Sequence, residues 1–190
     1  KKQIITIAGT AGSGKSTVAK IVAQKLGWRH YSMGDMQRKT AEEKGISLAE
    51  LGELQKRDPT LDREIDQRQE SYGRQENQFV IDSRLGWHFI PNSFKVFLEV
   101  DNQVAVERIW NSFEKDPTRN VEKFDTSEDL SKALEERFEC EQKRYQEYYE
   151  IENHHDEEHF HFLLNTADYT PEEVADKIIE AYGDWISKTK

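Results

Sequence analysis

The sequence predicts an α/β protein: a five-stranded parallel sheet with helices on both faces. Short strand-like runs alternate with longer helical patterns along the 190 residues, and this alternation is typical of parallel strands joined by right-handed helical crossovers. The length suffices for one substantial hydrophobic core, so a single domain with inserted segments is expected. Ligands of such sheets bind at the carboxyl ends of the strands, so functional residues are sought directly after each strand.

The order of the elements follows from these patterns. The predicted strands are Ile4–Ala8, Arg29–Ser32, Gln78–Asp82, Phe94–Val100 and Phe160–Leu164. The predicted helices are Lys15–Leu26, Met36–Lys44, Leu48–Lys56, Leu61–Gly73, Gln103–Phe113, Ser127–Tyr149 and Pro171–Ser187. The last helix has a clear start, because Thr170 offers a hydroxyl cap and Pro171 fits the first helical position.

A phosphate-binding loop lies between the first strand and the first helix. The motif G-x-x-x-x-G-K-[ST] is matched by Gly9, Thr10, Ala11, Gly12, Ser13, Gly14, Lys15 and Ser16, and Thr17 follows it directly. Glycines let backbone N–H groups face a phosphate at a helix N-terminus, Lys15 can reach the outer phosphates, and Ser16 offers a hydroxyl to Mg²⁺. The alternative is a simple glycine turn, but the strand–loop–helix context favours a nucleoside triphosphate site.

Composition restricts the remaining function classes. The net charge is −10, which argues against a nucleic-acid partner and requires the cations of a phosphate site to be local. The single cysteine, Cys140, excludes an internal disulfide framework and fits a reducing, cytoplasmic compartment. The first apolar run is too short for a signal peptide or a membrane span, so no membrane association is expected. A monomer is expected.

Two helical, polar segments interrupt the alternation. Residues 35–73 lie between the second and third strands, and residues 112–156 between the fourth and fifth. In a protein with a phosphate-binding loop, these positions suit an acceptor-binding insert and a closing lid, which leaves a core of 1–34, 74–111 and 157–190. The alternative for each segment is a surface helical hairpin held by structural salt bridges.

Charged residues after the second and third strands are the next site candidates. Asp82 ends the apolar run Phe79–Asp82, where an acid can hold the hydration shell of Mg²⁺, and Arg84 follows at the same strand end. Asp35 is expected to cap a helix, with Arg38 three residues later on the same turn. Arginine suits two-point recognition of phosphate, although Asp35 and Arg38 can also form a plain surface pair.

Both inserted segments carry polar helix faces. Arg63 and Gln69 lie on a helix too polar to face a core, which indicates either acceptor contacts or a solvated surface. Arg137, Glu141 and Arg144 fall at i, i+4 and i+7 of the longest predicted helix, so they project from one face. That arrangement is either an exposed ion-pair ladder or a clamp for a phosphorylated, hydroxyl-bearing substrate.

Taken in order, these segments resemble the cytidylate kinases, most closely the type common in archaea, within the nucleoside monophosphate kinase superfamily. The resemblance covers nearly the whole chain. Beyond the phosphate-binding loop it rests on Gly34-Asp35-Met36-Gln37-Arg38, Asp62-Arg63-Glu64-Ile65-Asp66, Asp82-Ser83-Arg84-Leu85-Gly86-Trp87, Lys143-Arg144-Tyr145 and Leu164-Asn165-Thr166. It implies the P-loop kinase fold and transfer of the γ-phosphoryl group of ATP to CMP or dCMP, with Mg²⁺ as cofactor.

The resemblance also implies roles for the candidate residues. By the resemblance, Arg38, Arg63 and Arg84 are expected to bind the acceptor nucleotide, with Asp35 supporting them. Arg137, Glu141 and Arg144 match lid positions that close on the phosphates and the acceptor sugar, and Gln69 on the insert helix is a further acceptor-binding candidate. Catalytic roles are expected for Lys15, Arg137, Arg144 and Asp82, and metal binding is expected for Ser16 and Asp82. Two positions depart from the usual pattern. Ser83 stands where the family usually has a glycine, and Leu85 stands where the bacterial branch has an aspartate that helps read cytosine, although the archaeal-type branch also has a leucine there.

Other interpretations remain open at this stage. The chain could phosphorylate another nucleotide, a sugar acid or shikimate, or it could be a nucleotide-binding switch that has lost transfer. The stretch 153–161 contains four histidines, two of them at i, i+4, but either a solvated loop or incidental histidines are favoured over a metal site. Cys140 lies between two glutamates that disfavour a thiolate, so no catalytic role is expected.

Overall fold

Five parallel strands form one sheet in the order β2-β3-β1-β4-β5 in a computed structural model that describes residues 2–46, 48–115 and 124–188. The strands are Ile4–Gly9 (β1), Arg29–Ser32 (β2), Phe79–Asp82 (β3), Phe94–Glu99 (β4) and Phe162–Asn165 (β5). Ile7 of β1 and Ser32 of β2 both lie opposite Asp82 of β3. The predicted parallel sheet is confirmed, and its register gathers the carboxyl ends of the first three strands at one edge.

The helices lie on both faces of this sheet. They are Lys15–Leu26 (α1), Met33–Lys44 (α2), Leu48–Arg57 (α3), Pro59–Gln75 (α4), Gly86–Phe89 (α5), Asn102–Lys115 (α6), Ser127–Tyr149 (α7) and Pro171–Ser187 (α8). Successive side chains of a strand point to opposite faces. Ile5 and Ile7 accordingly pack in the cluster that includes Val18 of α1 and Ile178 of α8, whereas Ala8 packs with Tyr145 of α7 on the other face.

The central position of β1 explains its composition. All six of its residues are buried, because a parallel strand covered on both faces needs apolar side chains on both. The phosphate-binding loop therefore leaves the most deeply buried strand of the sheet and enters α1, whose Val18, Ala19, Val22 and Ala23 are buried. This packing holds the loop in a fixed place at the strand ends.

Some boundaries differ from the predicted ones. Helix α2 begins at Met33, three residues earlier than predicted, and Asp35 is not its cap: the Ser32 hydroxyl accepts the Asp35 N–H at 3.3 Å. Strand β5 begins at Phe162 because residues 157–159 form a 3-10 turn capped by Asp156. The one-turn helix α5 was not predicted, since four residues are too few for a periodic signal.

The two inserted segments correspond to α2–α4 and to the region around α7. Residues 116–123 of the predicted lid segment (112–156) lie outside the described residues. The structure describes this segment at the end of α6 and over residues 124–156. Among the described helices, none combines the length and apolar character that crossing a membrane would require.

Candidate active site

The loop between β1 and α1 has the backbone conformation that its glycines predict. The φ angles are 151° at Gly9, 69° at Gly12 and 83° at Gly14, which caps α1. A Cβ atom at Gly9 would lie 2.0 Å from the Leu98 carbonyl oxygen, and one at Gly12 would lie 2.6 Å from the Ala105 Cα. Only glycine permits these approaches to β4 and α6, so the loop is built to expose backbone N–H groups ahead of α1.

Lys15 folds over this loop. Its Nζ donates to the Thr10 carbonyl oxygen at 2.7 Å, and the Ser13 hydroxyl donates to the same oxygen at 2.8 Å. Burial, aided by the nearby Arg84 guanidinium, lowers the pKa of Lys15 to about 7. An anion placed here would favour the charged ammonium, so Lys15 is suited to meet a phosphate at the end of the loop.

Asp82 collects hydrogen bonds from three elements at the end of β3. Its Oδ1 accepts from the Ser16 hydroxyl at 2.9 Å and from the Ser32 hydroxyl at 3.0 Å, and its Oδ2 lies 2.8 Å from His30 Nε2. Mg²⁺ in phosphate-transfer sites takes one or two protein oxygens together with substrate phosphates and water. A serine hydroxyl and a carboxylate are oxygen ligands of the kind that Mg²⁺ takes, and the metal-binding roles of Ser16 and Asp82 stay predictions. The contact of His30 with Asp82 was not predicted.

Arg84 and Arg137 meet at one buried carboxylate. Glu141 Oε2 lies 2.6 Å from Arg84 Nε, and its Oε1 accepts from Arg137 Nε at 3.0 Å. Burial would raise the pKa of Glu141, but the arginines outweigh it and hold the pKa below its usual value. The pKa of Arg137 is lowered, chiefly by the neighbouring Arg84 charge. The interpretation of this helix face as an exposed ladder is wrong at Glu141, whose side chain is only 11% exposed.

Arg144 belongs to the same cluster. Its guanidinium carbon lies 5.4 Å from the centre of the buried Tyr145 ring, and its charge helps to lower the pKa of Glu141. The structure thus brings together the three helix-α7 residues that the spacing singled out and adds Arg84 to them.

The remaining acceptor candidates lie in different environments. Arg38 pairs with Asp35 on α2, and both side chains are about half exposed, which matches the surface-pair alternative in this state. Arg63 is exposed on α4. Gln69, on the same helix, is instead 2% exposed; it accepts from the Ser83 hydroxyl at 2.5 Å and donates to Asp66 at 3.0 Å.

Arg108 is a site residue that the sequence did not reveal. Its Nη1 donates to the Thr166 hydroxyl at 3.0 Å and lies 3.4 Å from the Gly12 carbonyl oxygen, and its Nη2 donates to the Thr166 and Ala167 carbonyls. The Thr166 hydroxyl also contacts the Ser13 carbonyl oxygen at 3.2 Å. These contacts fix the phosphate-binding loop against the loop after β5. A single arginine on an amphipathic helix gave no sequence signal, although Thr166 was among the residues that carried the resemblance.

The histidine stretch is partly a core element. His154 is 1% exposed, and its Nδ1 lies 2.8 Å from the Gln142 side-chain oxygen, so the interpretation as a solvated loop is wrong for this residue. His159 stacks on Trp87 at 3.8 Å between ring centres. Across residues 2–46, 48–115 and 124–188, no group of three or more His, Cys, Asp or Glu side chains could hold a metal ion.

Comparison with known sequences identifies relatives over most of the chain. The model of a family described as cytidylate kinase-like matches residues 4–168. A cytidylate kinase of Halobacterium salinarum is 35% identical over 180 residues, which are 94% of this chain and 88% of that protein. A cytidylate kinase of Archaeoglobus fulgidus is 35% identical over 178 residues, 93% of each chain.

One relative is longer. An S-adenosylmethionine-dependent nucleotide dehydratase of Lacinutrix mariniflava is 36% identical over 182 residues, which are 95% of this chain but 36% of that protein. This chain therefore spans about a third of the length of that relative.

Solved structures share the fold at low sequence identity. A shikimate kinase from Bacteroides thetaiotaomicron has a TM-score of 0.64 at 15% identity, covering 98% of this chain and 99% of that chain. A shikimate kinase from Acinetobacter baumannii in complex with shikimate has a TM-score of 0.61 at 17% identity, covering 100% and 96%. These structures confirm the P-loop kinase fold.

Proposed function

Because the chain belongs to the cytidylate kinase-like family, we propose that it transfers the γ-phosphoryl group of ATP to CMP or dCMP, giving ADP and the nucleoside diphosphate. The observation that carries this proposal is the meeting of three cationic side chains from three elements. Lys15 of the phosphate-binding loop is close enough to Arg84 and Arg137 for both to lower its pKa, while Glu141 holds the two arginines together.

The chemistry requires charge neutralisation rather than a general base. The acceptor oxygen of a nucleoside monophosphate is already ionised near neutral pH, so catalysis consists of aligning two charged phosphates and stabilising the transferring group. Lys15 supports the γ-phosphate from the loop, and Arg84, Arg137 and Arg144 offer guanidinium groups to the oxygens on the acceptor side. Preorganised cations of this kind stabilise the transition state without having to reorient.

Ser16 and Asp82 are the residues that would hold Mg²⁺ with its hydration shell. When bound, the ion would supply positive charge that stabilises the charged phosphates during transfer. Asp82 already has a fixed orientation, because Ser32 and His30 contact its two oxygens. Cofactor binding therefore needs little rearrangement of the carboxylate.

The nucleotide sites are assigned to opposite sides of this cluster. ATP is bound by residues 9–17, whose glycine conformations support a phosphate cradle. The acceptor is bound by Arg38, Arg63 and Arg84, with Asp35 supporting Arg38. Gln69 acts from a buried position, and its contacts with Ser83 and Asp66 make it an orienting group for the insert helix.

Water must be kept from the transferring phosphoryl group, otherwise ATP would be hydrolysed without an acceptor. The lid segment is suited to this task, because α7 carries Arg137, Glu141 and Arg144 on the face that meets Arg84. We expect this segment to close when both nucleotides are bound. The acceptor insert (35–73) and the lid segment would thus both act on the same core. We expect the protein to be a cytoplasmic monomer, and its net charge of −10 does not favour binding to nucleic acid.

Two other functions are separable by one assay. A kinase for a different small acceptor would release ADP with that acceptor, and a nucleotide-binding switch would bind ATP without acceptor-dependent ADP release. The convergence of Arg84 and Arg137 beside Lys15 disfavours a switch, which needs no acceptor clamp. ADP release measured with ATP and Mg²⁺, with and without CMP, tests the proposal: stimulation by CMP is expected, and equal rates in both conditions would contradict it.

A further inference from the structure

Four polar side chains from three elements form one continuous hydrogen-bonded chain beside Arg84. The Ser83 hydroxyl, directly after β3, donates to Gln69 Oε1 at 2.5 Å. Gln69 Nε2 donates to Asp66 Oδ1 at 3.0 Å, and the Tyr149 hydroxyl donates to Asp66 Oδ2. This chain, the Ser83–Tyr149 relay, joins the core, the insert helix α4 and the C-terminal end of α7.

The direction of each bond in the relay is fixed by chemistry. A carboxylate only accepts hydrogen bonds, so Asp66 must face the NH₂ group of Gln69, and the Gln69 oxygen must then face Ser83. Gln69 is 2% exposed and Ser83 is 7% exposed, so water has little access to their contact. Removing the Ser83 hydroxyl would leave a buried carbonyl oxygen without this donor, which is costly.

The two ends of the relay are anchored differently. Ser83 N donates to the Ile7 carbonyl oxygen at 3.1 Å, so the first member is held by the central strand between Asp82 and Arg84. Tyr149 is the last residue of α7, the helix that also carries Glu141. The end of β3 is thus linked to α7 twice: directly through Arg84 and Glu141, and indirectly through α4.

We propose that Ser83 is a positioning residue for the acceptor nucleotide and acts through Gln69, Asp66 and Tyr149. The relay fixes α4 of the insert against both the core and the lid helix, so that these two elements adopt the acceptor-binding arrangement together. This inference rests on the proposed function, because it assigns the relay to the binding of a pyrimidine nucleoside monophosphate. None of the four relay residues belongs to residues 9–17, the proposed ATP site, so we expect ATP binding to be unaffected by the relay.

The test is a double-mutant cycle in the full chain with Ser83→Ala, Tyr149→Phe and the double variant. Each single change should raise the KM for CMP about tenfold, the size expected from one lost buried hydrogen bond, with the KM for ATP within about twofold of wild type. Ser83 and Tyr149 are joined through Gln69 and Asp66, so the double variant should resemble the single ones, because either change interrupts the relay. Ser83→Thr keeps the hydroxyl and should restore most of the CMP affinity.

Ser93→Ala is the matched control. Ser93 is also fully buried, but its hydroxyl donates to the Ile90 carbonyl oxygen at 2.7 Å and lies 3.0 Å from the Thr6 hydroxyl, outside the relay. This variant should lose stability while keeping the wild-type KM for CMP. The proposal would be overturned if Ser83→Ala raised the KM for CMP and the KM for ATP equally. It would also be overturned if the effects of Ser83→Ala and Tyr149→Phe on the KM for CMP were additive in the double variant.

Hydrogen exchange gives a second readout that needs no acceptor. Amides of α4 should exchange about tenfold faster in Ser83→Ala and in Tyr149→Phe than in wild type, and Ser93→Ala should leave them unchanged. Unchanged exchange of α4 in both relay variants would overturn the relay whatever the acceptor is. If wild type phosphorylates a different monophosphate instead of CMP, the proposed acceptor is wrong, and the same cycle is measured with that monophosphate.

Discussion

Arg84 and Glu141 form an ion pair, with 2.6 Å between Arg84 Nε and Glu141 Oε2, that joins the end of β3 to helix α7. The second oxygen of Glu141 accepts a hydrogen bond from Arg137 Nε. One carboxylate therefore contacts two guanidinium groups that repel each other. The phosphates of two nucleotides would supply the same kind of negative charge. Glu141 therefore keeps the arginines close before the substrates arrive.

Glu141→Gln should weaken both activity and stability. The substitution keeps the shape but removes the charge, which leaves Arg84 and Arg137 without their shared partner. Breaking a fully buried pair costs about 3–5 kcal/mol, and the loss here should be smaller because the Arg137 side chain is 50% exposed. The free energy of unfolding from urea denaturation should fall, and the KM for CMP should rise. Glu139→Gln, at an exposed position of the same helix, is the control. A Glu141 variant as stable and active as that control would show that Glu141 does not organise the arginines.

Lys15→Ala should nearly abolish transfer while the fold is kept. It removes a charge aimed at the moving phosphoryl group, and one preorganised electrostatic contact is typically worth ~10²–10³ in turnover. Single-turnover ADP formation measures this loss, and circular dichroism checks the fold. Lys25→Ala on the same helix removes only surface pairs with Glu172 and Asp176 and should keep activity. A folded Lys15 variant within a few-fold of wild type would place the chemistry elsewhere.

Arg38→Ala and Arg84→Ala should impair use of the acceptor much more than ATP binding. Both arginines follow strands on the acceptor side, and neither belongs to the phosphate-binding loop. The comparison is between ATP affinity by titration and the KM for CMP, with Arg74→Ala, an exposed α4 residue paired with Glu70, as control. Equal losses for both nucleotides, or a loss for ATP alone, would refute this division of labour.

Acid should destabilise the protein through His154. Burial lowers the pKa of His154 to about 4, whereas an unfolded histidine titrates near 6.5. Between these values the unfolded chain binds more protons than the folded one, so stability falls as pH drops from about 6.5 to about 4, by up to about 3 kcal/mol. His154→Phe should flatten the fall in a series of urea denaturations across this range. Parallel pH profiles for variant and wild type would mean that other groups control acid stability.

The sequence predicted the parts of the site that depend on local pattern. The phosphate-binding loop is encoded by closely spaced glycines, and the i, i+4, i+7 spacing correctly placed Arg137, Glu141 and Arg144 on one helix. The contact of Glu141 with Arg84 could not be predicted, because it depends on how α7 packs across the sheet. The prediction that Asp35 caps a helix is wrong for a related reason: serine and aspartate are both good caps, and the end of β2 makes Ser32 the cap of α2.

Buried polar contacts were the least predictable features. Gln69 was identified as a polar residue on a helix without a core face, yet the structure buries it between Ser83 and Asp66. The contacts of Arg108 could not be predicted from a sequence pattern, because its partners in the loops after β1 and β5 are distant in sequence. Such pairs are created by tertiary packing, and single-sequence periodicity carries no information about them.

The most direct test of the proposed function is a panel of acceptors at equal concentration with ATP and Mg²⁺ fixed, followed by ADP release. CMP or dCMP should be phosphorylated fastest, UMP more slowly, and AMP, GMP, shikimate and gluconate poorly. Replacing the exocyclic amine of cytosine by a carbonyl oxygen mismatches buried polar contacts at roughly 1–3 kcal/mol each, or about one to two decades in rate. Faster phosphorylation of AMP, GMP or a sugar acid than of CMP would contradict the account.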